Sequence, residues 1–120
     1  MILSFALTER EFLAGIKTVT RRNWKKRNLE AWQRAWDLGR LIHDGWSKTP
    51  CFGGRFLCRF ELTARPYLER LADMPLADLI AEGGMCATRE EFCALVKLPP
   101  SAEVSVVRFR KLPEEARGPV

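Results

Sequence analysis

The chain has a single histidine, His43, and no apolar run near the roughly 20 residues that a membrane-spanning helix needs. A lone histidine leaves a zinc knuckle to depend on the cysteines. Cys51, Cys58, Cys86 and Cys93 are spaced too widely for a zinc knuckle. They read as reduced thiols packed as small hydrophobes, with a zinc site built from all four as the alternative, and no cofactor is expected. Residues 1–5 carry no basic leader and charged residues follow at once, so no signal peptide is expected. The expectation is a cytoplasmic protein that does not contact a membrane. Internal repeats and low-complexity segments are also missing.

What is present is ordinary in bulk and uneven in distribution. The 120 residues are 47% hydrophobic and 29% charged, enough for one domain with one core. That domain is expected over residues 1–110. Residues 111–120 hold too little apolar surface to pack and read as a flexible tail. The net charge of +5 suits a polyanionic partner. The cations concentrate in the first half of the chain, and acids dominate residues 69–91.

Residues 2–5 form a short apolar run that reads as a buried strand. Thr8-Glu9-Arg10-Glu11 has the pattern of a capping box, opening a short helix with Phe12 and Leu13 inward and Gly15 as its stop. Residues 29–42 give the clearest helix, with Asn28 as cap and Leu29, Trp32 and Trp36 at three- and four-residue spacing. His43 falls near the end of that helix and reads as a capping or packing residue. Residues 44–54 read as a loop. Residues 55–63 alternate as a strand with Phe56, Cys58, Phe60 and Leu62 inward. Pro66 is expected to end regular pairing, with Tyr67, Leu68 and Leu71 packing outside the sheet. A short helix is expected from Asp73-Met74-Pro75 to Glu82. A second capping box, Thr88-Arg89-Glu90-Glu91, opens a helix to Val96, and residues 103–109 read as the last strand, with Val104, Val106 and Phe109 inward. The result is an α+β domain.

One stretch does not look like packing. Gly15-Ile16-Lys17-Thr18-Val19-Thr20-Arg21-Arg22 continues as Asn23-Trp24-Lys25-Lys26-Arg27, placing Lys17, Arg21, Arg22, Lys25, Lys26 and Arg27 within eleven residues. Such a run is a solvated face or a surface for phosphates, on which Trp24 and Trp46 would be the stacking side chains, since Trp32 and Trp36 belong to the helix core. If residues 16–22 formed a regular strand, Lys17 and Thr20 would point to opposite faces, so joint action on one site requires a turn or bulge between them.

The order Gly15-x-Lys17-Thr18-x-Thr20-x-Arg22, followed by Leu71-x-Asp73-Met74, Asp78-Leu79, Glu82-Gly83 and Thr88-x-Glu90-Glu91-Phe92, resembles the ASCH domain family over about residues 2–109. The resemblance implies a PUA-like fold, a small mixed β-barrel with helices at its ends, and a cleft lined by the G-x-K-T motif. It implies a protein that binds RNA, a nucleotide or a nucleoside. One branch of the family hydrolyses an N-acetylated cytidine nucleoside with a lysine, a threonine and a glutamate, which match Lys17, Thr20 and Glu82 here. The Trp- and Lys/Arg-rich segment 24–46 is longer than the minimal domain has. Three readings follow: an RNA- or nucleotide-binding domain using Lys17, Arg21, Arg22, Trp24, Lys25, Lys26, Arg27 and Trp46; a small amidohydrolase using Lys17, Thr20 and Glu82; and a non-enzymatic protein-interaction module built on residues 24–46. A plain Lys17–Glu82 salt bridge tying two segments together is the alternative to a catalytic pair. Whether the protein is an enzyme is left open by the sequence, and no protein partner is legible in it.

Overall fold

The computed structural model describes residues 1–113. The elements are β1 (Ile2–Ser4), α1 (Glu9–Leu13), β2 (Val19–Arg22), α2 (Lys26–Asp37), β3 (Ile42–Trp46), β4 (Phe56–Leu62), β5 (Tyr67–Arg70), α3 (Ala77–Ala81), α4 (Arg89–Val96) and β6 (Glu103–Lys111), with short 3-10 turns at Pro50–Phe52 and Leu71–Asp73. This is an α+β domain on a mixed six-stranded sheet, ordered β1-β3-β4-β6-β2, with β5 also on β6. β1 runs parallel to β3, and the other pairs are antiparallel. The expected barrel does not close, because β1 and β2 end the sheet without pairing to each other. Among the described residues no helix is long and apolar enough to cross a membrane. Residues 114–120 of the expected tail lie outside the described residues, while Lys111 belongs to β6.

β6 explains why the sheet has two cores. Val107 and Phe109 pack on one face with Leu3, Phe5, Phe12, Trp32, Cys58, Phe60 and Leu62. Val104 packs on the other with Leu71, Met74, Leu79, Phe92 and Cys93. Phe109 therefore faces away from Val104 and Val106, contrary to the expected alternation, because a central strand buried on both sides carries apolar residues at both parities. The cysteines divide accordingly. Cys58 and Cys93 lie in different clusters and Cys51 is exposed, so among the described residues they do not form one ligand set.

α1 is fastened by Phe12, whose ring stacks on Phe5 at 4.2 Å and 10°. Burying such a ring contributes about 1.5–3 kcal/mol. The expected capping box at Thr8 does not form: the Thr8 side chain makes no bond to the helix end. The second one does, with Thr88 Oγ1 accepting from the Glu91 N–H at 3.1 Å, although Glu91 Oε2 returns to the N–H of Ala87 rather than Thr88.

α2 starts at Lys26 and stops at Asp37, five residues short of the expected end. Gly39 adopts φ +76°, and the Arg40 N–H donates to Ala35 O at 2.8 Å, a glycine stop inside what reads as helical periodicity. Asn28 is not the cap. The chain enters earlier, from Lys25, with Trp24 stacked on Trp32 at 5.7 Å. The helix buries Leu29, Trp32 and Ala35. The early stop frees residues 42–46 to become β3, between β1 and β4, where the end of the helix and the start of a loop are expected. His43 lies in β3 and packs on Trp32 at 4.7 Å.

Pro66 does not end pairing. β4 and β5 follow one another along the same edge of β6: Leu62 faces Phe109 and Tyr67 faces Val106. The five residue steps on the first side face three on β6, and the surplus forms a jog at residues 63–66. Leu71 is fully buried in the second cluster rather than outside the sheet, and α3 spans only Ala77–Ala81.

Candidate functional site

Among the described residues β2 pairs only with β6, which makes it an edge strand. Along its free edge runs a cleft of about 280 Å³, walled by residues 4–8 after β1 and by Met85, Phe92, Leu95 and Val96 around α4. Lys17, Thr20, Arg21, Arg22 and Glu82 all line it. The gap between the two sheet edges is thus the site. It is bridged by Arg22, whose Nη2 donates to Ser4 O and whose guanidinium lies 5.8 Å from the centre of the Phe5 ring.

The turn that Lys17 and Thr20 need exists. Regular pairing starts only at Val19. Before it, the N–H groups of Ile16 and Lys17 both donate to Glu11 O, at 3.0 and 3.1 Å, and Thr18 N–H donates to Ala81 O at 2.8 Å. These bonds hold Lys17 outside the strand, so the alternation of faces does not separate it from Thr20. Lys17 is only 3% exposed. Its Nζ donates to the Glu82 backbone oxygen at 2.6 Å and to Glu82 Oε1 at 3.1 Å. Burial pushes the Lys17 pKa below the ordinary lysine value; Glu82 pulls it up, and Arg22 and Arg21 push it down. Thr20 is buried and accepts from Arg22 Nε at 3.1 Å.

Glu82 is also the end of an ionic chain. Its Oε2 accepts from Arg21 Nη1 at 2.9 Å. Arg21 donates further to Glu69 Oε1 from Nε at 2.9 Å and from Nη2 at 2.8 Å, and to Asp78 Oδ2 at 2.6 Å. Arg108 grips Asp78 at 3.1 and 2.6 Å and reaches the Tyr67 hydroxyl at 3.1 Å. Burial opposes the charge on Arg21, but its bonds to Asp78, Glu82 and Glu69 hold its pKa above the ordinary arginine value. Burial likewise works against Asp78, and the hydrogen bonds from Arg108 and Arg21 outweigh it, holding this carboxyl below its usual range.

This corrects the role expected for Arg21. It was grouped with the phosphate-binding cations, yet its side chain is 1% exposed and committed to three carboxylates. Trp24 and Trp46 are corrected too. Trp24 is half-buried, one face covered by Trp32. Trp46 sits in β3, half-buried and edge-on to Phe56 at 6.1 Å. Neither is among the residues that line the cleft, and neither is fully exposed. Lys25, Lys26 and Arg27 are exposed at the start of α2, as a rim requires, and among the described residues no carboxylate lies within 4 Å of them.

Sequence reasoning missed Thr8, Glu69, Arg108 and Tyr67, and gave Asp78 no role. Thr8 is buried in the cleft wall, its methyl packed where a side chain on Gly83 would meet it at 2.9 Å. The excess of acids in residues 69–91 was the available signal for the carboxylates: buried cations at positions 17 and 21 require partners, and that segment holds them. No protein-family model, no curated protein and no solved structure matches this chain.

Proposed function

We propose that the cleft along β2 binds one nucleoside-sized unit, as a free nucleoside or nucleotide or as part of an RNA strand. The observation that carries this reading is that Lys17, Thr20, Arg22 and Glu82, the motif residues of the ASCH resemblance, line one cavity. Its volume, about 280 Å³, is at the bottom of the range of about 300–1,000 Å³ for small-molecule sites, which suits one base and sugar rather than an oligonucleotide. The PUA-like assignment belongs to the same proposal, supported by a mixed sheet whose end strands β1 and β2 are bridged by the bond from Arg22 to Ser4 O. Lys25, Lys26 and Arg27 form the electrostatic rim for a strand that extends beyond the cavity. The test is titration of single-stranded RNA and ribonucleosides over a range of salt. Micromolar RNA binding that falls steeply with salt is expected; salt-insensitive RNA binding removes the role of the rim, and binding of neither RNA nor any ribonucleoside refutes the reading.

A second reading, hydrolysis of N-acylated cytidine, is favoured by one observation: Lys17 is desolvated, with a lowered pKa, and touches Glu82. In that chemistry water adds to the acyl carbonyl while a neutral Lys17 amine takes its proton. The C–N bond then breaks, and Lys17 or Glu82 returns the proton to the leaving amine, giving a carboxylic acid and cytidine. Turnover of N-acetylcytidine by the wild type, abolished in Lys17→Ala with unchanged circular dichroism, supports it. Unchanged substrate after prolonged incubation with the wild type refutes it.

A further inference from the structure

The cleft carries one cation that bonds no carboxylate. In its walls and behind them, Lys17, Arg21 and Arg108 face Glu69, Asp78 and Glu82, three cations against three carboxylates. Arg22 stands outside this balance. Among the described residues no carboxylate lies within 4 Å of it, and its partners are neutral: Thr20 Oγ1 and Ser4 O. Two of its five N–H groups are used, and three remain. Those two bonds and the Phe5 ring fix the guanidinium before any ligand arrives. Glu82 acts on this half-buried, oriented cation only at a distance, too little to offset its burial, and an incoming anion bonded to it relieves that cost.

The position of Arg22 says more. A second cavity of about 160 Å³ shares Arg21, Arg22, Phe92 and Val96 with the main cleft, and Asn23 also lines it. Arg22 therefore stands where two small cavities meet. The outer wall of the main cavity is apolar, through Leu7, Met85 and Leu95, and suits the face of a base. An anion flanked by two compact, uncharged units is the pattern of a phosphodiester between two nucleosides.

We propose that the cleft takes a phosphate-linked ligand: the base and ribose of one nucleotide in the larger cavity, its phosphate on Arg22, and the neighbouring unit in the smaller cavity. This rests on the nucleoside-unit reading above and narrows it from nucleosides to nucleotides within a strand.

Calorimetric titration of the full chain tests it with the four ribonucleosides, their 3′- and 5′-monophosphates, dinucleoside monophosphates and inorganic phosphate. A dinucleoside monophosphate is expected to bind at least about tenfold tighter than its parent nucleosides, the worth of one charge-assisted contact. Arg22→Gln should reduce that advantage to within about twofold, and Arg22→Lys should keep part of it. A dinucleotide with a neutral methylphosphonate linkage should lose the advantage on the wild type, a result that needs no variant to fold. If Arg22 serves only to clamp the two sheet edges, Arg22→Gln weakens nucleoside and dinucleotide alike and leaves their ratio intact, which overturns the proposal. Equal binding of inorganic phosphate and dinucleotide also overturns it, since the anion would then bind without the base. Equal affinity for nucleoside and dinucleotide overturns this proposal and leaves the nucleoside-unit reading standing. No binding by any of these probes overturns both.

Discussion

Glu82→Gln is the sharpest perturbation of the buried ionic chain, because Glu82 serves two cations at once. Its carboxylate accepts from Lys17 Nζ at 3.1 Å and from Arg21 Nη1 at 2.9 Å, with both side chains at most 3% exposed. A glutamine keeps one oxygen for one donor and turns an NH₂ toward the other. Removing one partner of a buried ion pair costs about 3–5 kcal/mol. The Lys17 share has a ceiling, because an ammonium can release its proton. Relative to an ordinary lysine, that release costs about 4.6 kcal/mol at pH 7 and about 1.2 kcal/mol at pH 9.5. Lys17 already has its pKa lowered by burial, and the substitution removes the main upward pull, from Glu82. A lysine whose pKa is lower in the folded than in the unfolded state leaves the unfolded chain as the better proton binder. Stability therefore rises with pH toward the unfolded lysine value and falls as pH drops below it. The variant should be about 3–5 kcal/mol less stable than the wild type at pH 7, and the gap should narrow by at least about 1 kcal/mol at pH 9.5. Urea denaturation at both pH values and constant ionic strength measures this. Glu69→Gln is the control: its carboxylate is bonded to Arg21, which does not deprotonate, and not to Lys17, so its cost should not change over the same range. A cost for Glu82→Gln below about 1 kcal/mol, or one as flat with pH as that of Glu69→Gln, would refute the buried-charge argument.

Neutralising Lys25, Lys26 and Arg27 together to glutamine should weaken single-stranded RNA binding and lower the slope of log affinity against log salt by about 2, at roughly 0.7 per contact. An unchanged slope places the strand elsewhere. Thr88→Ala should cost about 1 kcal/mol in denaturant titrations by removing the acceptor of the Glu91 N–H. Gly45→Ala should destabilise by about 1–3 kcal/mol, because a Cβ there would lie 2.6 Å from Phe12 Cζ and 3.0 Å from Cys58 O; thermal melting checks it.

Local signals in the sequence hold wherever the physics is local. The apolar run of β1, the alternation of β4, the glycine after α1 and the Thr88 cap of α4 each depend on a few neighbouring residues, and each is found. The convergence of Lys17, Thr20 and Glu82 was legible through the motif order, and the structure brings them to one cleft. β3 and β5 were not legible. Their residues lack a clear alternation, and they are strands because β1, β4 and β6 offer them hydrogen-bonding edges. The glycine at position 39 was also visible, yet the apolar spacing on both of its sides masked it.

Arg21 and Arg22 show where sequence stops. They are adjacent and chemically identical, and although the motif order contains Arg22 and not Arg21, neither composition nor charge tells which of them is buried among carboxylates. The strand period of two sends them to opposite faces of β2. On one face α3 and β5 bring Asp78, Glu82 and Glu69, from 48 to 61 positions away, and Arg21 becomes part of the core. On the other, Ser4 and Thr20 offer only neutral oxygens to Arg22. Sequence determined that this stretch carries cations beside a lysine–threonine pair. The tertiary fold decided which cation is bonded to carboxylates and which bonds only neutral oxygens, because a buried charge is settled by whatever long-range packing sets beside it.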